Sequence, residues 1–190
     1  MVRFFWIGLF ALTLVFAQTA QAELQHYELD GTRSKVEFFY KTSETPSKGV
    51  FPVKDSDIRI EWRAIGRSSV DVTIDTGRAR VFDPIASLAL KSGDFLDTSR
   101  YPEARFLSRS VKAKGKGAVV TGDLTLKGVT RPVTLDVAFQ RLVGAPEDNS
   151  EIVLRIRGSV SRANFGITAF PDVLEDQISL DFMVFLRRTP

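Results

Sequence analysis

The sequence predicts an all-β domain with antiparallel pairing and one short helical insert. Three observations carry this. Apolar and polar side chains alternate with period two in successive short runs. Glycine- and proline-bearing turn signals separate those runs. A single stretch in the middle of the chain carries helix-start chemistry instead. Alternation of this kind turns one face of each strand toward a core and the other toward water. An antiparallel chain of this length must then protect its edges, by closing into a barrel or by stacking two sheets. Periodicity is compatible with both. A barrel of about eight strands leaves an interior that side chains fill, or that admits one small elongated ligand.

The elements follow in chain order. Arg3 precedes an apolar run at residues 4–17, and Gln18-Thr19-Ala20-Gln21-Ala22 follows it. A basic start, an apolar stretch and an A-x-A exit compose a secretory signal peptide. Residues 1–22 are therefore assigned to export, and residues 23–190 to one domain in the periplasm. The run is shorter than the roughly 20 residues that span a bilayer, and no cysteine follows it to carry a lipid anchor.

Within the domain, Val36, Phe38 and Tyr40 form the first inward line, then Ile58, Ile60 and Trp62, then Val70, Val72 and Ile74. Asp83 is placed as N-cap and Pro84 at the first helical position, with Ser92-Gly93 ending the helix. Phe95 and Leu96 follow as a short turn that covers the sheet. Lys114-Gly115-Lys116-Gly117 separates a strand around 103–112 from one around 118–126. Residues 128–132 read as a turn into a strand at 133–141, whose inward line is Val133, Leu135, Val137 and Phe139. Residues 144–150 form a polar loop. Ile152, Leu154 and Ile156, and then Ile178, Leu180, Phe182, Val184 and Leu186, complete eight or nine strands.

Composition removes several chemistries. The chain has no cysteine and one histidine, His26. Thiol nucleophiles, zinc fingers and iron–sulfur clusters are excluded, and a serine-type triad has only His26 for its base. No catalytic or metal-binding residue is assigned. Without Arg3, 25 basic groups face 23 acidic ones, too even a balance for a general nucleic-acid binder. Asp172, Glu175 and Asp176 read as a turn before the last strand, and a hydrolase built on them is the weakest alternative. Arg162, in Ser161-Arg162-Ala163-Asn164-Phe165-Gly166-Ile167, is placed to reach Asp172 or Asp176 and clamp a loop at one barrel end. The basic run holding Arg109, Lys112, Lys114 and Lys116 reads as edge protection or as a contact for lipid head groups. Phenylalanines spread through the strands fit a packed core or an apolar tunnel for a hydrocarbon ligand.

Three blocks resemble the YceI-like family, in the family's order. They are Ser92-Gly93-Asp94-Phe95-Leu96-Asp97 with Tyr101-Pro102-Glu103-Ala104-Arg105-Phe106-Leu107-Ser108, residues 122–135, and the Arg162-centred Phe-Gly segment. Three departures stand out, one of them the segment Thr45 to Asp57, whose Pro46 and Pro52 are unusual for the family's second strand. Residues 87–92 hold no histidine where the family usually has one, and Ser161 and Ala163 flank Arg162 where an acidic residue is common. The resemblance implies an eight-stranded antiparallel barrel, lipocalin-like in shape, with a helical segment near one end. It implies a secreted or periplasmic protein that is no enzyme, has no cofactor, and binds an isoprenoid chain, a quinone or a similar amphiphilic lipid, with transient membrane contact. Oligomeric state is left open. The candidate ligand contacts are Val36, Phe38, Val72 and Ile74, Phe106, Leu124 and Leu126, then Phe139, Ile156, Phe165, Leu180 and Phe182. Leu88 and Phe95 are expected to cover the cavity. The alternative is a partner-binding barrel of the envelope stress response, with a packed core and an apolar surface patch.

Overall fold

The computed structural model describes residues 24–42, 45–140, 144 and 146–189. The predicted signal peptide and its junction lie outside these residues, as does Arg141 at the end of a predicted strand. Among the described residues there are ten strands: β1 (Gln25–Leu29), β2 (Lys35–Lys41), β3 (Pro46–Ile60), β4 (Ser69–Asp75), β5 (Arg80–Val81), β6 (Glu103–Lys114), β7 (Gly117–Leu126), β8 (Val129–Gln140), β9 (Glu151–Ser161) and β10 (Gln177–Arg188). One helix, α1 (Pro84–Lys91), and one-turn 3₁₀ helices at Ile65–Arg67 and Ala163–Phe165 complete the fold.

Every strand pairing is antiparallel, and the ring β2-β3-β4-β6-β7-β8-β9-β10 closes on itself through β10 and β2. This is an eight-stranded barrel, which leaves no long unpaired edge. β1 and β2 occupy one slot in that ring. Both pair with β10 on one side and β3 on the other, β1 at Ile58–Ile60 and β2 at Pro46–Pro52. They form a single stave interrupted by residues 30–34. At the break, the fully buried Ser34 hydroxyl accepts the Phe185 N–H at 2.9 Å, and the Asp30 N–H donates to the Phe185 carbonyl at 2.8 Å. The buried backbone groups of β10 therefore find partners where the ladder is missing. β5 is a two-residue outlier on β3.

Two bulges explain where plain alternation fails. In β3 the register shifts between Val53 and Asp55, so the inward side changes from Phe51 to Ile58 and Ile60. In β6 it shifts between Ser108 and Ser110, so Ala104 and Phe106 give way to Val111 and Ala113. The Ser108 hydroxyl accepts the Val70 N–H at 2.8 Å beside that bulge.

The helix forms as the sequence dictates. The Asp83 carboxylate accepts the Ala86 N–H, Pro84 opens the first turn, and Ser92 ends the helix. One predicted turn is displaced. The β7–β8 hairpin turns at Lys127 and Gly128 (φ 50° and 75°), and β8 begins at Val129. Two consecutive positive φ values are the signature of a two-residue type I′ turn, which matches strand twist. Pro132 then lies within β8, opposite Asp123, in a stretch that β9 does not pair. Its missing N–H is tolerated there. Trp62 likewise falls just past the end of β3.

The topology gives the barrel two ends. The helix end carries the residues joining β4 to β6, the β7–β8 turn and the residues joining β9 to β10. The hairpin end carries residues 61–68, the β6–β7 turn and residues 146–150 ahead of β9.

Candidate functional site

The barrel interior is not filled. It encloses a cavity of about 1000 Å³ whose lining is overwhelmingly apolar, at the upper end of common small-molecule sites. The inward lines of the strands supply its wall, because closure of the ring directs every second side chain to the axis. Val36, Phe38, Val72, Ile74, Phe106, Leu124, Leu126, Phe139, Ile156, Leu180 and Phe182 all line it. Phe95 and Phe165 line it at the helix end. Among the described residues, no aspartate or glutamate lines it.

Leu88 does not line it, which corrects the expectation. It is 71% exposed on the outer face of α1, with Ile85 beside it at 78%. Ala86, Ala89 and Leu90 face the cavity instead. The physical reason is the helical period: Leu88 lies one turn from Ile85 and two residues from Leu90, so it cannot share the inward face of Leu90. Phe82, Phe170 and Val173 are also exposed at this end, and the Phe170 ring stacks on Phe95 at 6.0 Å.

At the hairpin end, aromatic side chains narrow the cavity. Trp62 meets Phe139 edge-on at 6.1 Å and Tyr27 at 6.4 Å. The Trp62 Nε1–H points to the Tyr27 hydroxyl (3.0 Å) and to Gln25 Oε1 (3.1 Å), and that hydroxyl lies 2.9 Å from the Asn149 carbonyl. Burial pushes the Tyr27 phenol above its ordinary value, against the Trp62 hydrogen bond. Tyr27 and the inward faces of β3, β9 and β10 form the largest packed cluster here. Sequence reading placed Trp62 inward but did not mark Tyr27 or Gln25. Strand β1 is five residues long, and its signal is confined to Tyr27 and Leu29 two positions apart.

Arg162 does clamp a loop, but not through the carboxylates proposed for it. It is 5% exposed. Its Nε donates to the Glu175 carbonyl (3.1 Å), Nη1 to those of Ile167 (3.0 Å) and Ala169 (2.7 Å), and Nη2 to that of Leu174 (2.8 Å). Carbonyls present partial charge without the desolvation cost of a second buried ion. Asp176 contributes by another route: its carboxylate accepts the Ala163 N–H at 2.9 Å, and its backbone carbonyl accepts the Arg162 N–H at 3.0 Å. The Ser161 hydroxyl and the Ala163 N–H hold its carboxyl below the usual range. That direction is opposite to what a general acid needs. Asp172 is exposed and takes no bond from Arg162, so it is no part of the clamp. Among the described residues, no group of three or more His, Cys, Asp or Glu is arranged to hold a metal ion.

Comparison with known proteins agrees with this architecture. The UPF0312 protein of Vibrio parahaemolyticus is 35% identical over 141 residues, 72% of this chain and 73% of that protein. Protein YceI of Escherichia coli is 39% identical over 100 residues, 53% of this chain and 51% of its own length. Among solved structures, BcnA of Burkholderia cenocepacia superposes with a TM-score of 0.72 at 22% identity, covering 83% of this chain and 98% of that one. A polyisoprenoid binding domain from Saccharophagus degradans, implicated in plant cell wall breakdown, superposes with a TM-score of 0.63 at 15% identity, covering 87% and 99%. The YceI-like domain matches residues 27–186, nearly the whole of the barrel, and the chain belongs to the YceI-like family.

Proposed function

We propose that this chain is a non-catalytic carrier exported to the periplasm, which holds an isoprenoid lipid or quinone-like amphiphile inside the barrel and needs no cofactor. The observation that carries the reading is the apolar cavity of about 1000 Å³. Each methylene moved from water into such a lining contributes about 0.8 kcal/mol, so a prenyl chain gains affinity along its length. The binding domain from Saccharophagus degradans, of the same fold, supports the choice of isoprenoid.

The test is extraction of the protein purified from its own host, followed by mass spectrometry. A co-purifying isoprenoid is the expected result, with native mass spectrometry reporting one ligand per barrel. A barrel without lipid, whose thermal stability is unmoved by added prenyl alcohol, overturns the reading. Leu124→Trp projects bulk into the cavity and is expected to abolish binding while the circular dichroism spectrum is retained.

A second reading, a partner-binding envelope barrel, is favoured by one observation: Phe82, Ile85, Leu88, Phe170 and Val173 are all at least half exposed at the helix end. The packed core expected of such a barrel is not present, since the interior holds the cavity. What remains of the reading predicts a protein ligand on that face and no lipid inside, so the same extraction separates the two.

A further inference from the structure

The cavity is apolar along its middle, but its few charges are arranged unevenly. Among the described residues, four charged side chains line it: Arg59, Arg63, Lys116 and Arg162, all cationic. Two of these are already committed. Arg162 spends its guanidinium on four backbone carbonyls. Arg59 is paired with Asp57, with bonds of 3.1 and 2.7 Å. Arg63 and Lys116 form no ion pair among the described residues, and both are exposed. The nearby Lys114 is neutralised by Asp136 at 2.6 Å. The Glu61 carboxylate is buried and accepts the N–H of Arg63 itself at 3.3 Å.

Both unpaired cations lie at the hairpin end. Arg63 follows β3, and Lys116 occupies the turn between β6 and β7. A methyl group on Gly117 would come within 2.0 Å of the Val137 carbonyl oxygen, so the hairpin lies directly against β8. Among the described residues, the helix end offers the cavity only neutral groups, such as Tyr40 and Thr42, besides the spent Arg162.

We infer that the amphiphile sits in one direction, with an anionic terminus, a phosphate or carboxylate, held between Arg63 and Lys116 and its tail running toward the helix end. This rests on the reading of the cavity as an amphiphile site and assigns its head group. Arg63 supplies a planar fork that meets two oxygens of such an anion, and Lys116 supplies a mobile point charge. At the rim the head keeps part of its hydration, so it avoids the desolvation penalty of a buried ion. Among the described residues no carboxylate lines the cavity, so its wall presents no fixed negative charge to the head group.

The test compares two ligands with one chain, geranylgeranyl monophosphate and geranylgeraniol, by calorimetric titration at low ionic strength. The phosphate is expected to bind at least about tenfold more tightly, the scale of a charge-assisted contact. In the double variant Arg63→Gln/Lys116→Gln that preference should vanish, while affinity for the alcohol stays within about twofold and so serves as the control for folding. High salt should shrink the preference in the unmodified protein, because exposed charges are screened. Equal affinities in the unmodified protein, or a preference that survives the double variant, overturn the assignment and leave the carrier reading standing. Failure of both ligands to bind overturns both. Displacement of the prenyl phosphate by inorganic phosphate at comparable concentration assigns the cations to free anions and overturns the orientation.

Discussion

Arg162 shows how a single residue organises one end of the barrel. Its three nitrogens reach four carbonyls on the segment between β9 and β10, a fan that only a planar guanidinium supplies. Arg162→Lys keeps the charge but leaves several buried carbonyls unpaired, and each such loss costs about 1–3 kcal/mol. A loss of roughly 2–4 kcal/mol in unfolding free energy is expected from denaturant titration. Asp172→Asn, outside the clamp, is expected to stay within about 0.5 kcal/mol. A milder Arg162→Lys than Asp172→Asn would contradict this account. Sequence reading found the arginine and its loop because the segment breaks strand rhythm beside a Phe-Gly pair. It chose the wrong acceptors because carboxylates are visible in a sequence, whereas carbonyls become acceptors only once the chain has turned.

The same division appears at the scale of elements. Strands with one uninterrupted period, such as β4 and β10, were legible residue by residue: Val70, Val72 and Ile74, and Ile178, Leu180, Phe182, Val184 and Leu186, all face inward, while Met183 and Phe185 stay on the outer face. β3 and β6 were legible only in part, since a bulge moves the inward set from one parity to the other. The split stave was hidden too, because β1 is five residues long and offers only two inward apolar positions, Tyr27 and Leu29, too few to read as a period. The helix was found by its cap, but its orientation was not. Eight residues with apolar side chains on two faces give no unique inward side. Leu88→Ser is therefore expected to leave the melting temperature and ligand affinity nearly unchanged. Leu124→Ser, on the cavity wall, is expected to lower affinity for a prenyl alcohol several-fold. A clear loss of ligand affinity in Leu88→Ser would place that side chain over the cavity after all.

At the scale of the molecule, the barrel carries both an internal void and an outer net of ion pairs, and each makes a measurable demand. A ligand at about one hundred times its dissociation constant adds about 2.7 kcal/mol, or roughly 5–10 °C in melting temperature for a domain of this size. Calorimetry with a saturating prenyl amphiphile that shows no upward shift would deny the cavity its occupant.

The outer net sets the acid limit. The Thr32 hydroxyl and Arg33 hold Asp30 low, and Arg105 and Arg155 do the same for Asp71 and Asp181. A carboxylate whose folded pKa is depressed contributes stability above its unfolded pKa of about 3.9, which is lost as pH falls through the folded value. The melting temperature should therefore fall as pH is lowered from about 4 to 2. A rise over that interval would contradict the assignment.

The interrupted stave also orders events in time. Ser34 and Phe185, which meet at its break, are 151 residues apart in the chain. The last strand supplies both neighbours that complete the ring, pairing with β9 on one side and the stave on the other. A chain made from its N-terminus keeps its future lining exposed to water until residues 177–188 arrive. Contacts this distant form slowly, because the loop must be closed before they are rewarded. Between synthesis and closure the molecule is a long open sheet with an apolar face. In that interval it depends on whatever shields such a face, and the finished barrel retains no trace of the need.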